Sequence, residues 1–345
     1  MPSSAIAHIA VFSVGAALGA GIAAGVASRK HAKNISVAPP SESSSQIAGS
    51  APLQLQGPLI QASNTRAHGV LQLAPTVPSD VLRYGNPGPI SDLIVRKAYV
   101  AGYDRRLRHP AWTAEHLTLS SLSKSAPKGD RSKSEFKEDQ SLPVSFRARL
   151  QDYFRSGYDR GHMVPAADAK EAMDETFLLS NIAPQVGRGF NQHYWAYTED
   201  WCRRLTNTFQ DVFVFTVPLY LPKQDQDGKY RVTYEVIGNP PNVSVPTHFA
   251  KVVLGSRPSS PSTPQLTELS LGAFVLPNSE IPDDTPLTKF VVPVETVERA
   301  AGLVLFSDDI KQSSKHICQT AQCEVIARRF DDAQRQTRRA LPAPK

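Results

Sequence analysis

The stretch Ser156-Gly-Tyr-Asp-Arg-Gly-His162 decides the interpretation of this chain, together with Asn191 and Glu199 farther along. A neutral histidine accepts a proton near neutral pH, and the planar guanidinium of arginine binds phosphate oxygens through several donors. A side-chain amide oxygen suits a hard cation such as Mg²⁺, which keeps several of its own waters. These side chains together offer the groups needed to hydrolyse a phosphodiester with one divalent ion.

Each of these residues also has a structural interpretation when it is taken alone. A lone His162 is more often a hydrogen-bonded structural histidine than a base, and Asn191 suits the N-cap of a helix. Arg160 alone would form a surface ion pair, and Glu199 would lie on a solvated helix face. The combination favours catalysis over these separate interpretations.

The segment from Asn191 to Glu199 predicts the first turns of a helix. Large apolar residues follow at spacings of three and four, which is typical of a buried stripe. The predicted stripe contains Tyr194, Tyr197, Trp201 and Leu205. At about 100° per residue, Asn191 and Glu199 lie about 80° apart beside the stripe, so both are expected to face one cleft.

Upstream of the helix, the run from Glu175 to Pro184 has the length and apolar character of a strand that ends at the proline. The predicted order is therefore a strand or loop with His162, then a strand, then the helix with Asn191. Other predicted strands are 212–216, 247–254 and 290–294.

The motifs Asp159-Arg-Gly-His162 and Leu179-Ser-Asn-Ile-Ala-Pro-Gln185, with Asn191, Trp195 and Glu199 at four-residue spacing, carry a family resemblance. They resemble the DNA/RNA non-specific endonucleases of the ββα-metal type, and specifically the mitochondrial endonuclease G branch. The resemblance runs from Arg83 to roughly Phe330. It implies an α+β fold in which a mixed central sheet carries the ββα-metal catalytic motif.

The resemblance also implies roles for the site residues. His162 would be the general base, and Asn191 the direct protein ligand of a Mg²⁺ ion that Mn²⁺ can replace. Glu199 would orient the waters of that ion, and Arg160 would stabilise the transition state. Asp159 would hold the local geometry.

The implied enzyme is a hydrolase that cleaves DNA and RNA without regard to the sugar and leaves 5′-phosphate ends. One alternative is a mainly 5′-exonucleolytic enzyme of the paralogous branch. A second alternative, from another class, is a catalytically inactive, membrane-tethered nucleic-acid-binding protein. The resemblance further implies a homodimer in the mitochondrion, at the inner membrane or in the intermembrane space, with relocation to the nucleus.

The composition is compatible with a polyanionic partner. The chain has 345 residues, a formal net charge of +6 and a pI near 9.2. Basic side chains bind phosphates and release counterions. Zinc-finger spacing and the interleaved aromatics of RNA-recognition modules are absent from the sequence, so reading of base sequence is not indicated.

The N-terminal part has a different character. The 23 residues from Ala5 to Ala27 carry no formal charge and precede a basic cluster. This length can span a bilayer, which predicts a membrane anchor, and the resemblance implies that the membrane is the mitochondrial inner membrane. A cleaved sorting segment is the alternative. We therefore predict a targeting segment at 1–31, a flexible linker at 32–61, a catalytic domain at 62–330 and a charged tail at 331–345.

Three local features complete the predictions. Val217 stands where the family is expected to have glycine, so a turn there is expected to differ. The Pro- and Ser-rich segment 256–264 predicts a surface loop. The spacing of Cys318 and Cys323 permits a small disulfide, but three cysteines make no framework, and reduced thiols are predicted.

Overall fold

The computed structural model of this protein describes residues 83, 87–123, 131 and 133–327. The chain divides into two units, 1–76 and 77–345, and every described residue belongs to the second. The predicted anchor Ala5–Ala27, the segments 1–31 and 32–61 and the tail 331–345 lie outside the described residues. None of the helices in the described part combines the length and apolar character that a membrane span requires.

The described part of the chain mixes strands with short helices. In chain order its strands are β1 (Ser91–Val95), β2 (Tyr99–Asp104), β3 (His109–Leu117), β4 (Asp159–His162), β5 (Ile182–Gln185), β6 (Asp211–Leu219), β7 (Lys223–Gln224), β8 (Tyr230–Arg231), β9 (Val236–Ile237), β10 (Val243–Ser244), β11 (His248–Pro258), β12 (Thr267–Pro277), β13 (Val291–Val292) and β14 (Lys315–His316). Its α-helices are α1 (Leu150–Tyr153), α2 (Met173–Thr176), α3 (Trp195–Arg204), α4 (Val294–Ala301), α5 (Asp308–Ser313) and α6 (Ile317–Thr320).

A central eight-stranded sheet organises the fold. Seven strands follow the order β1-β2-β3-β6-β11-β12-β13, and β14 also pairs with β12. The pairings are antiparallel apart from that of β12 with β14, which is parallel. The predicted α+β class with a mixed central sheet is therefore confirmed.

The side chains of β11 alternate between two apolar faces of this sheet, as the pleat of a strand requires. Phe249 and Val253 pack on the face that α3 covers, where they meet Trp195. Val252 points to the opposite face and packs in the same cluster as Val297 of α4. The sheet thus fixes α3, the helix predicted to carry Glu199, against a rigid surface.

The predicted strands agree with the structure in two cases and only in part in the third. Segment 212–216 lies inside β6, and segment 247–254 matches most of β11. Segment 290–294 contains only the two-residue β13, because Pro293 lacks the N–H that would continue a ladder and α4 begins at Val294.

Two local expectations are corrected by the structure, the first only in its boundary. The predicted loop at 256–264 begins later, because β11 continues to Pro258 with Ser256 paired to Leu269. Val217 lies in the middle of β6, opposite Ala250 and fully buried, and not in a turn. A β-branched residue is well suited to that position.

The prediction of reduced cysteines is wrong for two of the three. Cys318 and Cys323 form a disulfide, whereas Cys202 is free and buried. The disulfide closes a loop that contacts α3, because Trp201 Nε1 donates a 2.9 Å hydrogen bond to the carbonyl oxygen of Gln322. The loop packs against the apolar cluster on the α3 face of the sheet.

Candidate active site

The predicted strand, strand and helix order is present. Strands β4 and β5 form an antiparallel pair, with Asp159 opposite Gln185 and His162 opposite Ile182. A wide helical segment, Gly187–Tyr194, follows β5 and runs directly into α3. It is interrupted near its start, because Arg188 and Gly189 have non-helical dihedral angles. These elements place the motif Asp159–His162 beside the start of the helix.

The predicted strand from Glu175 to Pro184 is wrong in its extent. Helix α2 ends at Thr176, a 3₁₀ turn covers Leu179–Asn181, and β5 is only four residues long. The buried Asn181 amide donates to the carbonyl oxygens of Val164 and Thr176, which holds the turn. Pro184 lies within β5 and does not end it, since β5 has one partner strand and its other side needs no donor.

The predicted apolar stripe is confirmed, because all four of its residues are buried: Tyr194, Tyr197, Trp201 and Leu205. Asn191 does not cap the helix. It lies inside the wide helical segment, whose N-cap is Val186, and the Asn191 backbone N–H donates to the Val186 carbonyl at 2.9 Å. The N-cap interpretation of Asn191 is therefore wrong.

The structure brings the predicted site residues together in one cavity of about 560 Å³. Its lining includes His162, Arg160, Asn191 and Glu199, and also Arg131 and Phe136. The last two were missed from the sequence, because neither belongs to a recognisable motif or to a periodic segment.

His162 is held between aromatic rings. Its ring centroid lies 5.4 Å from that of Phe136 and 4.8 Å from that of Phe177. Its Nε2 atom is buried and has no hydrogen-bond partner among the described residues. Burial, with a smaller contribution from the charge of Arg131, lowers the pKa of His162 to about 3. The ring is thus neutral at physiological pH, and a neutral imidazole has one ring nitrogen that can accept a proton.

Asn191 is oriented by Asp159. Its Nδ2 atom donates a 2.9 Å hydrogen bond to Asp159 Oδ2, and Gln192 Nε2 donates to the same oxygen at 2.8 Å. With Nδ2 committed in this way, the amide oxygen Oδ1 is the atom left to bind a cation. A single amide oxygen in an open, polar cavity fits Mg²⁺, which binds few protein oxygens and retains water.

Arg160 reaches the same cavity from the exposed side of β4. Its guanidinium carbon lies 4.3 Å from the centroid of the Phe136 ring. This cation–π contact restrains a long side chain at the cavity while leaving its donors directed to solvent.

Glu199 lies near a group of largely buried charged side chains that includes Lys251 and Arg203. Lys251 is 1% exposed, and its Nζ is 3.9 Å from Glu115 Oε1. Arg203 donates a 2.8 Å hydrogen bond to Asp168 Oδ1. Burial raises the pKa of Glu199 to about 7, against the opposing effect of the two basic residues. The sequence offered one signal for this group, namely the lysine that interrupts the apolar run of β11.

Comparisons with known proteins identify the family of this chain. The model of the family described as "DNA/RNA non-specific endonuclease" matches residues 77–312. The chain belongs to this family. It is 47% identical over 275 residues to the "Mitochondrial nuclease" of Saccharomyces cerevisiae, an alignment that covers 78% of this chain and 82% of the relative.

More distant relatives place this nuclease in the endonuclease G branch. The human protein named "Endonuclease G, mitochondrial" is 41% identical over 228 residues, which is 65% of this chain and 72% of the relative. A crystal structure of the EndoG/EndoGI complex contains a chain with a TM-score of 0.60 and 46% identity, covering 68% of this chain and 94% of that one. The nuclease is therefore a hydrolase that acts as a DNA/RNA endonuclease.

Proposed function

We propose that this nuclease is a Mg²⁺-dependent enzyme that cleaves DNA and RNA internally and leaves 5′-phosphate and 3′-hydroxyl ends. The observation that carries the proposal is a neutral His162 ring in the lining of the same cavity as Asn191. In this function the imidazole of His162 takes a proton from the attacking water. General-base catalysis of this kind contributes about 10²–10⁴ in rate.

The other site residues support the same chemistry. Arg160 stabilises the negative charge that develops on the phosphate, and Asn191 Oδ1 would hold the metal ion. Mg²⁺, or Mn²⁺ in its place, supplies charge neutralisation at the scissile phosphate and the leaving 3′ oxygen. Glu199, in its ionised form, accepts hydrogen bonds from water in the cavity and so orders it.

The setting of the enzyme is part of the proposal. Two of the relatives are named as mitochondrial, which supports a mitochondrial location for this chain. We propose attachment to the inner membrane through Ala5–Ala27, with the linker 32–61 between the anchor and a catalytic domain at 62–330. Homodimerisation remains a proposal that rests on the family resemblance.

The test is a digestion series on supercoiled plasmid and on RNA, with Mg²⁺, with Mn²⁺ and with a chelator. Wild-type protein should cleave both substrates only with metal, and His162→Ala should lose about 10²–10⁴ in rate while it still binds DNA. His116→Ala is the matched control, since His116 is exposed and lies outside the active-site cavity. Wild-type turnover by His162→Ala would contradict the assignment of the base.

The products separate the endonuclease from the exonuclease. An endonuclease converts closed plasmid to nicked and linear forms, whereas a mainly 5′-exonucleolytic enzyme leaves a covalently closed circle intact. Ligation of the products without prior kinase treatment would support 5′-phosphate ends. Products that need phosphorylation before ligation would contradict the proposed direction of cleavage.

A further inference from the structure

A second groove adjoins the active-site cavity. It has a volume of about 290 Å³ and shares Asp159 and Arg160 with the larger cavity. Phe154 and Arg155 also line it. The two cavities therefore meet at Asp159 and Arg160, so a nucleic-acid strand bound at Arg160 would lie next to both.

Phe154 presents an exposed aromatic ring in the groove. It directly follows α1, and 62% of its surface is exposed, whereas the preceding Tyr153 is buried. The guanidinium carbon of Arg155 lies 5.1 Å from the centroid of the Phe154 ring and so covers one of its faces. A single exposed phenyl ring is ordinary on a protein surface. Here it lies in a groove joined to an active site, beside two arginines, which is the composition of a nucleic-acid stacking platform.

The backbone at Arg155 is held in an unusual conformation. Its φ angle is +55°, a region that side-chain-bearing residues seldom adopt. The turn is fixed by neighbouring bonds, since Ser156 N–H donates to the Tyr153 carbonyl at 3.3 Å and Tyr158 N–H donates to Ser156 Oγ at 3.1 Å. Backbone strain of this kind is common where a side chain is held for function. With the backbone in this conformation, Phe154 and Arg155 both line the groove.

We infer that this groove is a substrate subsite in which Phe154 stacks on a nucleobase adjacent to the scissile phosphate and Arg155 binds a neighbouring phosphate. The inference rests on the nuclease function proposed above and adds a specific contact to it. An aromatic face accepts every base and is indifferent to the sugar, so the subsite suits an enzyme that cleaves both DNA and RNA. The carboxylate in the groove, Asp159, already accepts hydrogen bonds from Asn191 and Gln192, which reduces its repulsion of phosphate.

Binding of single-stranded oligonucleotides that carry 2-aminopurine at successive positions tests the inference. The measurements use the His162→Ala background, so that no cleavage occurs during the titration. One position should lose fluorescence on binding, as a stacked base does. Phe154→Ala should abolish that quenching and raise Kd about tenfold, whereas Phe154→Trp should retain both. Equal quenching and equal Kd in Phe154→Ala would overturn the stacking contact.

Two controls keep this result specific. Tyr230→Ala removes another exposed aromatic residue that lines neither the groove nor the active-site cavity, and it should leave binding unchanged. Arg155→Gly removes the charge at a positive-φ position that glycine adopts without strain. It should reduce the slope of log K against log salt concentration by about one. An unchanged slope would overturn the phosphate contact.

Kinetics of the enzyme that retains His162 separate this inference from the proposed function. In the otherwise wild-type enzyme, Phe154→Ala should raise KM for single-stranded substrate and leave kcat within about twofold, because the stacked base is bound equally in the ground and transition states. A loss confined to kcat would contradict the subsite. Failure of the plasmid and His162 tests, with the quenching pattern retained, would contradict the proposed chemistry and leave the subsite standing.

Discussion

The side-chain amide of Asn191 donates a 2.9 Å hydrogen bond to Asp159 Oδ2, across the boundary between β4 and the wide helical segment. This bond joins the first and last parts of the catalytic motif and fixes which atom of the amide faces the cavity. A second donor, Gln192 Nε2, reaches the same oxygen. The arrangement assigns Asp159 a positioning role, in which it acts through the amide of Asn191.

Asn191→Ala should reduce activity and raise the Mg²⁺ concentration needed for half-maximal rate. The reason is that water alone would then hold the ion beside the substrate. Steady-state rates over a Mg²⁺ titration measure both effects. Gln192→Ala is the matched control, because it removes the other donor to Asp159 and leaves the proposed ligand in place. Saturation of Asn191→Ala at the wild-type Mg²⁺ concentration would show that Asn191 is not a ligand.

The rate should increase with pH through about 7, the value to which burial raises the pKa of Glu199. Only the ionised carboxylate accepts hydrogen bonds at both oxygens, and this form predominates above the pKa. His162, with its pKa lowered to about 3, stays neutral throughout this range and therefore adds no further change of rate with pH. The measurement is kcat/KM between about pH 5.5 and about pH 8.5. Glu199→Gln should be slower over this range and should not show the increase in kcat/KM near pH 7.

Stability gives an independent check on the same group. The pKa of Glu199 in the folded state lies above its ordinary value of 4.5, so the unfolded state loses its proton first as the pH rises. The contribution of Glu199 to stability is therefore complete below about pH 4.5 and decreases as the pH rises through about 7. Denaturant unfolding of Glu199→Gln should lack this decrease. Identical pH profiles for the wild type and Glu199→Gln would argue against a buried carboxyl at this position.

Replacing both Cys318 and Cys323 with serine should lower the free energy of unfolding by about 2 kcal/mol, since the unfolded chain is then no longer closed into a short loop. Calorimetry of the double variant, compared with Cys202→Ser, measures the difference. The Cys202 variant controls for removal of a buried thiol. Addition of a dithiol reductant should produce the same loss in wild-type protein and none in the double variant. Insensitivity of the wild type to the reductant would contradict a stabilising disulfide.

Deletion of residues 1–61 should give a soluble and active nuclease, because that part contains no residue assigned to chemistry. Full-length protein should sediment with mitochondrial membranes and resist carbonate extraction if Ala5–Ala27 spans the bilayer. Both fractions can be followed by immunoblot and by plasmid cleavage. Recovery of the endogenous protein in the carbonate supernatant, with an N-terminus beyond Ala27, would support the cleaved sorting segment instead.

The site was largely predictable from sequence because its residues are close in the chain. Tyr194 and Trp201 repeat at helical spacing, so the buried face of α3 and the position of Glu199 beside it follow from periodicity. Asn191 lies before α3, in the wide segment, where the α-helical period does not hold. Phe136 could not be predicted to line the cavity, since it belongs to no motif or periodic segment. Lys251 could not be predicted to lie near Glu199, since it comes from β11, far along the chain. Their placement depends on tertiary packing that local sequence does not encode.

The fold was less predictable where side chains override local propensity. The run from Glu175 to Pro184 is apolar enough for a long strand, yet the hydrogen bonds of Asn181 to Val164 and Thr176 stabilise a turn in its middle. The disulfide was also missed, because a pair of cysteines at this spacing carries no signal of its redox state. Longer strands such as β6 and β11 were correctly located, since most of their central residues are apolar.

The contact between α3 and the last described residues affects how late mutations in the gene should be judged. Trp201 and Arg204 donate hydrogen bonds to the main-chain oxygens of Gln322 and Glu324. A premature stop codon shortly before Gln322 would preserve every residue of the active site, yet it would leave the indole N–H of Trp201 without its acceptor and uncover the apolar back of the helix. Nonsense alleles at this late position are therefore expected to abolish function and should not be classed as mild.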